Sequence, residues 1–169
     1  MKNTSKKLLN YIEACNYIKK KLMDALGPNL ISIVIFGSYA MLVPSVDSDI
    51  DLLLIVEERN SDTEDIVRDF SVDFAFTYGR SISPIILSTD DVEKSIQAMD
   101  PIILAIFWAH DILFDRERWF EKHMTILQNK ILSQKDEIKM KRGAMIWTKE
   151  DLKILQESIM RQGKQSQCC

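Results

Sequence analysis

The fold of this chain is decided between residues 36 and 53, which have the sequence FGSYAMLVPSVDSDIDLL. Gly37 and Ser38 end one apolar segment and open a short segment predicted to be helical, where backbone amides can hold phosphate. Asp49 and Asp51 begin a second apolar segment. Alternate residues of a strand point to the same face, so both carboxylates project together with a spacing suited to divalent cations. The stretch therefore predicts metal-assisted phosphoryl or nucleotidyl transfer.

The Asp49–Asp51 pair is unusual for a strand that is otherwise apolar on both faces. Burial of an unpaired carboxylate is costly, and two like charges at this spacing repel each other. A divalent cation removes both costs. We therefore expect Asp49 and Asp51 to bind Mg²⁺ or Mn²⁺, with the Ser38 hydroxyl as an additional donor to a bound phosphate.

Asp73 is the predicted third carboxylate of the site. Residues 72–77 alternate between apolar and small or polar side chains, a pattern that predicts a strand with Asp73 and Ala75 on one face. An acid in the middle of a strand beside small residues suits the edge of a site. The alternatives are four acids of a charged segment that is expected to be exposed: Asp62, Glu64, Asp65 and Asp69.

The composition predicts one cytoplasmic domain. The chain has 169 residues, with 22 basic and 25 acidic side chains, which argues against a generic nucleic-acid-binding surface. Its longest apolar run is far shorter than the ~20 residues of a membrane span, and the N-terminal region is not patterned as a secretory signal. Cys15 and the Cys168-Cys169 pair form no disulfide or zinc framework, and the role of the pair stays open.

The apolar spacing and the turn signals predict an order of elements along the chain. Helices are expected over 5–26, 38–42, 114–132 and 150–160, with further helix starts at 88–91 and 100–101; strands are expected over 31–36, 50–56, 72–77 and 85–87. This order is typical of an α/β (α+β) domain with a small sheet and a helical second half.

Gly37-Ser38, ten intervening residues and Asp49-Ile50-Asp51 together resemble the signature of the DNA polymerase beta-like nucleotidyltransferase superfamily. The resemblance is greatest to its minimal, stand-alone prokaryotic and archaeal members. The order of elements over residues 5–87 fits their fold. Residues 113–115, the long helix after them and the basic segment before Trp147 resemble, more weakly, the helical tail of archaeal members. One departure is Leu42, which stands where many relatives have a second glycine.

The resemblance implies a small mixed β-sheet flanked by helices, with a nucleotidyltransferase core over residues 1–88, a helical extension of the same domain over 89–162 and a disordered tail over 163–169. It also implies the chemistry of the site. Asp49, Asp51 and Asp73 would bind two Mg²⁺ ions, and Gly37 and Ser38 would hold the β and γ phosphates of a nucleoside triphosphate, with ATP expected. A nucleoside monophosphate would pass to a hydroxyl acceptor with release of pyrophosphate.

Two other functions stay open on the sequence. One is the antitoxin of a toxin–antitoxin pair, which binds or adenylylates a small helical partner protein. The other is a catalytically degenerate regulatory domain that binds nucleotide without turnover. The sequence does not determine the acceptor, the preferred nucleotide or the oligomeric state.

Overall fold

The computed structural model describes residues 11–45 and 48–133, together with the backbone of 138–139 and 146–147. The elements follow in the order α1 (Tyr11–Leu26), β1 (Leu30–Phe36), α2 (Gly37–Ala40), β2 (Ile50–Val56), α3 (Ser61–Tyr78), β3 (Ile82–Ser88), α4 (Thr89–Ala98), α5 (Pro101–Trp108), β4 (His110–Asp115), α6 (Trp119–Ser133), β5 (Ile138–Lys139) and β6 (Ile146–Trp147). In the described part, no helix is both long and apolar enough to cross a membrane. The helix predicted over 150–160 and the predicted tail lie outside the described residues.

The chain divides into two compact units, Met1–His123 and Met124–Cys169. The first unit holds a four-stranded sheet with the order β3-β2-β1-β4. Strand β1 pairs antiparallel with both β2 and β4, whereas β2 pairs parallel with β3, so the predicted mixed sheet is confirmed. In the second unit, β5 and β6 form an antiparallel pair.

The two central strands are apolar because both of their faces are covered. Every residue of β1 is buried, and Asp51 is the one residue of β2 that is not. Helices α1 and α3 cover one face, and α4 contacts β2 and β3. The core between the sheet and helices α1 and α3 includes Ala14, Ile18 and Leu22 of α1, Val67, Phe70 and Phe74 of α3, and Ile33, Ile35, Leu52 and Leu54 of the sheet.

The predicted strand over residues 72–77 is wrong, because these residues belong to α3. The side chain of Asn60 accepts a hydrogen bond from the Thr63 amide and caps the start of this helix, and Gly79 ends it in the left-handed conformation. Phe74 is fully buried, whereas Phe76 is 86% exposed, so the two side chains do not share a strand face. The short alternating pattern was overridden by a capped helix whose apolar stripe packs against α1.

Strand β4 was not predicted, since the sequence pattern placed Phe114 and Asp115 at the start of a helix. The structure instead begins α6 at Trp119 and adds His110–Asp115 to the sheet beside β1. The sheet is therefore completed by residues beyond position 88. The helix starts predicted at residues 88–91 and 100–101 are both confirmed, the first with a reciprocal Ser88–Asp91 capping box.

Asp115 joins β4 to the core and to α6. Its Oδ1 accepts a hydrogen bond of 2.7 Å from the hydroxyl of Ser32, which is fully buried in β1. The two carboxylate oxygens also accept the backbone amides of Phe120 and Glu121, at 2.9 and 3.1 Å. One side chain thus satisfies a buried hydroxyl and caps a helix.

We expect Asp115→Ala to destabilise the protein by about 2–4 kcal/mol. The change removes a helix cap, worth about 1 kcal/mol, and leaves the Ser32 hydroxyl buried without its acceptor, at a cost of about 1–3 kcal/mol. Urea denaturation of the full chain measures the loss. Asp24→Ala, at an exposed position of α1, is the matched control and should change the free energy of unfolding by less than about 0.5 kcal/mol. Equal stability of the two variants would contradict this role of Asp115.

Candidate functional site

The centre of the candidate site is the contact between Gly37 and Asp51. Strand pairing places Phe36 opposite Asp51, so the chain turns into α2 directly beside this carboxylate. Gly37 has a φ of +69°, in the left-handed region that favours glycine. A Cβ at position 37 would overlap Asp51 Oδ2 and would lie 3.1 Å from Asp51 Cγ. Only glycine fits both the backbone conformation and the approach of the carboxylate.

The turn after Gly37 brings Ser38 to the same end of the sheet. Met41 donates its amide to the Gly37 carbonyl and Val43 donates to the Ser38 carbonyl, each at 3.0 Å, which closes a single helical turn. The first amides of a helical turn have no acceptor within the helix. The half-buried Ser38 follows Gly37 directly, so the two residues remain the candidate phosphate contacts.

The acid pair is arranged in a way that suits an oxygen-ligated cation. Asp49 is exposed just before β2, and Asp51 is the second residue of that strand. Desolvation of Asp51, followed by the charge of Asp49, raises the pKa of the Asp51 carboxyl above its usual range. A divalent cation would offset the cost of both charges and would take carboxylate oxygens as ligands. The residues present therefore fit Mg²⁺ or Mn²⁺.

Asp73 does not join Asp49 and Asp51. It lies on α3, where its carboxylate accepts a hydrogen bond from the hydroxyl of Tyr17 on α1. Helices α1 and α3 pack on the sheet face that carries Leu52, and strand alternation points Asp51 to the opposite face. Within the part of the chain that the structure describes, no group of three or more histidine, cysteine, aspartate or glutamate side chains is arranged to hold a metal ion. The third ligand predicted from sequence is therefore not brought to the pair.

The side-chain contacts that hold the turn at Gly37-Ser38 in place were not predicted from the sequence. Tyr39 of α2 is buried and stacks on Tyr11 of α1, with ring centroids 5.6 Å apart. The Tyr11 hydroxyl donates to Asp111 Oδ2 of β4 at 3.0 Å. Burial, with the nearby Cys15 and Asp111, raises the pKa of Tyr11, so this donor keeps its proton. No sequence pattern indicated this arrangement, because the strand that carries Asp111 was not predicted.

Comparison with known proteins identifies the family of this chain. The sequence profile of the nucleotidyltransferase domain matches residues 15–155, and the chain belongs to that family. It is 33% identical over 121 residues to a Methanocaldococcus jannaschii protein described as a candidate protein adenylyltransferase, which covers 70% of this chain and 80% of that protein.

Two solved structures share the fold of this chain at low sequence identity. The first is a toxin–antitoxin structure with AMP-PNP, with a TM-score of 0.52, 16% identity, and coverage of 70% of this chain and 86% of that one. The second is a mutant of the toxin–antitoxin pair MntA–HpeT, with a TM-score of 0.51, 16% identity and the same coverage. At this identity the likeness establishes the fold alone.

Gly37→Ala and Gly79→Ala should separate backbone strain from the contact with Asp51. Both glycines have positive φ, so each alanine costs about 1–2 kcal/mol in the left-handed region. A Cβ at Gly79 has no atom within 4 Å, whereas a Cβ at Gly37 displaces the Asp51 carboxylate. We expect both variants to lose stability, and only Gly37→Ala to lose Mn²⁺-dependent nucleotide binding by titration calorimetry. Equal nucleotide affinity in the two variants would refute the proposed role of the Gly37–Asp51 contact.

Asp51→Asn should stabilise the metal-free protein at neutral pH. The raised pKa means that the fold holds the Asp51 carboxylate less well than the unfolded chain does. Ionisation therefore lowers the stability of the parent as the pH rises above about 3.9, the usual carboxyl pKa, and the neutral asparagine avoids this loss. Thermal denaturation should show a more stable variant at pH 7 and no difference below about pH 3.9.

Bound metal should make the parent more stable than the Asp51→Asn variant. Excess Mg²⁺ should raise the stability of the parent and leave Asp51→Asn almost unchanged, because a ligand stabilises only the fold that binds it. Asp24→Asn, which removes an exposed carboxylate of α1, is the matched control and should respond to Mg²⁺ as the parent does. An Asp51→Asn variant less stable than the parent at pH 7 without metal would show that the charge is not costly.

Proposed function

We propose that this chain transfers AMP from ATP to a hydroxyl group of an acceptor, with release of pyrophosphate. The observation that carries the proposal is the close approach of the Gly37 turn to the Asp51 carboxylate. It joins a backbone suited to phosphate with an acid pair suited to a divalent cation, the combination that nucleotidyl transfer requires. Membership of the nucleotidyltransferase family supports the reaction class.

Each residue of the site has a separate role in this proposal. Asp49 and Asp51 would hold Mg²⁺, or Mn²⁺ in its place. The backbone of Gly37, in its left-handed conformation, would hold the β and γ phosphates, and the Ser38 hydroxyl would donate a hydrogen bond to a phosphate oxygen. When bound, the metal would neutralise charge that develops on the phosphates during transfer.

The reaction is a substitution at the α-phosphorus of ATP. The acceptor oxygen forms a bond to this phosphorus while the bond from the phosphorus to the α–β bridging oxygen breaks. The electron pair of the broken bond leaves with pyrophosphate, and the proton of the acceptor hydroxyl passes to water. The products are the adenylylated acceptor and pyrophosphate, with no oxidation or reduction.

A protein hydroxyl is the acceptor that we favour. The support is the Methanocaldococcus jannaschii relative, which is described as a candidate protein adenylyltransferase and is 33% identical to this chain. A second candidate function is binding of a small helical partner protein without transfer. Val72 and Phe76, one helical turn apart on α3, are 52% and 86% exposed and form an apolar surface suited to a partner.

The test combines pyrophosphate release with intact-mass spectrometry of candidate acceptor proteins, using each of the four nucleoside triphosphates and Mg²⁺. We expect an added mass of AMP on the acceptor with ATP, dependent on the metal. Asp49→Asn and Asp51→Asn should each lower turnover by about 10²–10³-fold, the usual effect of removing one electrostatic stabiliser of the transition state. Asp24→Asn should retain parental turnover, and full activity of Asp51→Asn would refute the assignment.

Asp73→Asn distinguishes the site in the structure from the site predicted by sequence. Because Asp73 lies on the helical layer and contacts Tyr17, we expect this variant to keep turnover close to that of the parent. A large fall in kcat with unchanged nucleotide affinity would instead support Asp73 as the third catalytic acid. Nucleotide binding without turnover in the parent, together with capture of a helical partner, would favour the binding function.

A further inference from the structure

The sheet register identifies the two neighbours of Asp51 on its own face. In the antiparallel pair its partner is Phe36 of β1, and in the parallel pair its partner is Ser83 of β3. Residues opposite each other on adjacent strands point to the same side of the sheet. Phe36 is buried at 8% exposure, so it belongs to the core. Ser83 is thus the polar side chain beside Asp51 across the strands.

The position of Ser83 is fixed by the elements around it. The Ile50 amide donates to the Ser81 carbonyl at 3.0 Å, which locks β3 against the start of β2. Ile82 turns into the core at 7% exposure, whereas Ser83 is exposed on the edge strand of the sheet. Ser83 is therefore an exposed residue on the same face of the sheet as the half-buried Asp51, one strand away.

The chemistry at position 83 limits the number of cations that the site can hold. Two metal ions about 3.5–4 Å apart bring four positive charges together and depend on anionic ligands to hold them. Asp49, Asp51 and the phosphate oxygens of the nucleotide supply the anionic ligands of one divalent cation, and a second cation would need a further carboxylate from the protein. Ser83 adds a neutral hydroxyl where an acid would be needed, and the described residues contain no third metal-ligating side chain at the pair.

We propose that Ser83 is a further polar group of the site, in addition to Asp49, Asp51 and Ser38, and that the site holds one divalent cation with its nucleotide instead of two. The inference rests on the proposed nucleotidyltransferase function and adds the number of metals. Asp73 is not the group that receives the acceptor proton in this proposal, because Tyr17 donates to its carboxylate on the other side of the sheet. The Ser83 hydroxyl, on the strand beside Asp51, would instead offer the acceptor a neutral polar contact.

The experiment counts the Mn²⁺ ions bound per nucleotide. The full chain is dialysed to equilibrium against Mn²⁺ and AMP-PNP, a non-hydrolysable ATP analogue, and bound metal and nucleotide are measured together. We expect one Mn²⁺ per bound nucleotide in the parent, with an uncoupled electron paramagnetic resonance spectrum. Ser83→Asp should bind two, with a spin-coupled spectrum. Ser83→Asn, which has the same shape without the charge, should bind one.

Each outcome separates this inference from the proposed function. Two Mn²⁺ ions in the parent would overturn the inference and leave the proposed function standing, since another residue would then supply the missing ligand. A folded Ser83→Asp variant that still binds one Mn²⁺ would show that position 83 does not face the metal. A parent that binds neither metal nor nucleotide would overturn the proposed function itself.

Discussion

The site depends on one steric constraint, the contact between the backbone of Gly37 and the carboxylate of Asp51. The contact forms because β1 ends and β2 begins at the same end of the sheet, with Phe36 opposite Asp51. A side chain at position 37 would occupy the space of the carboxylate. The Gly37 turn and the Asp51 carboxylate are therefore held together by strand pairing, which is rigid, instead of by loop contacts, which are not.

Asp49 and Asp51 make the metal-free protein less stable than it would be with apolar residues at these two positions. Asp51 interrupts a strand that is otherwise buried, and its desolvation, followed by repulsion from the neighbouring Asp49, raises the pKa of the Asp51 carboxyl. Strain of this kind persists only where the surrounding structure holds it in place. Here the buried strands β1 and β2 provide that support, so a local cost at the site is sustained by the packing of the sheet.

The second half of the chain contributes to the site from a distance. Strand β4 closes the sheet on the free side of β1, and Asp115 ties this strand to the buried Ser32. The same strand supplies Asp111, which accepts a hydrogen bond from the Tyr11 hydroxyl, and the Tyr11 ring stacks on Tyr39 of α2. Both hydrogen bonds come from strand β4. The residues after position 88 therefore complete the sheet and the core around the site.

The sequence by itself determined β1 and β2 and the short helix after Gly37, because these depend on local alternation and turn chemistry. Tertiary structure decided the rest. The helical spacing of Val67, Phe70 and Phe74 competed with a six-residue alternation, and packing against α1 settled it as a helix. Strand register, which relates residues distant in sequence, placed Ser83 beside Asp51. Packing of α3 beside α1 placed Asp73 on the other side of the sheet, next to Tyr17.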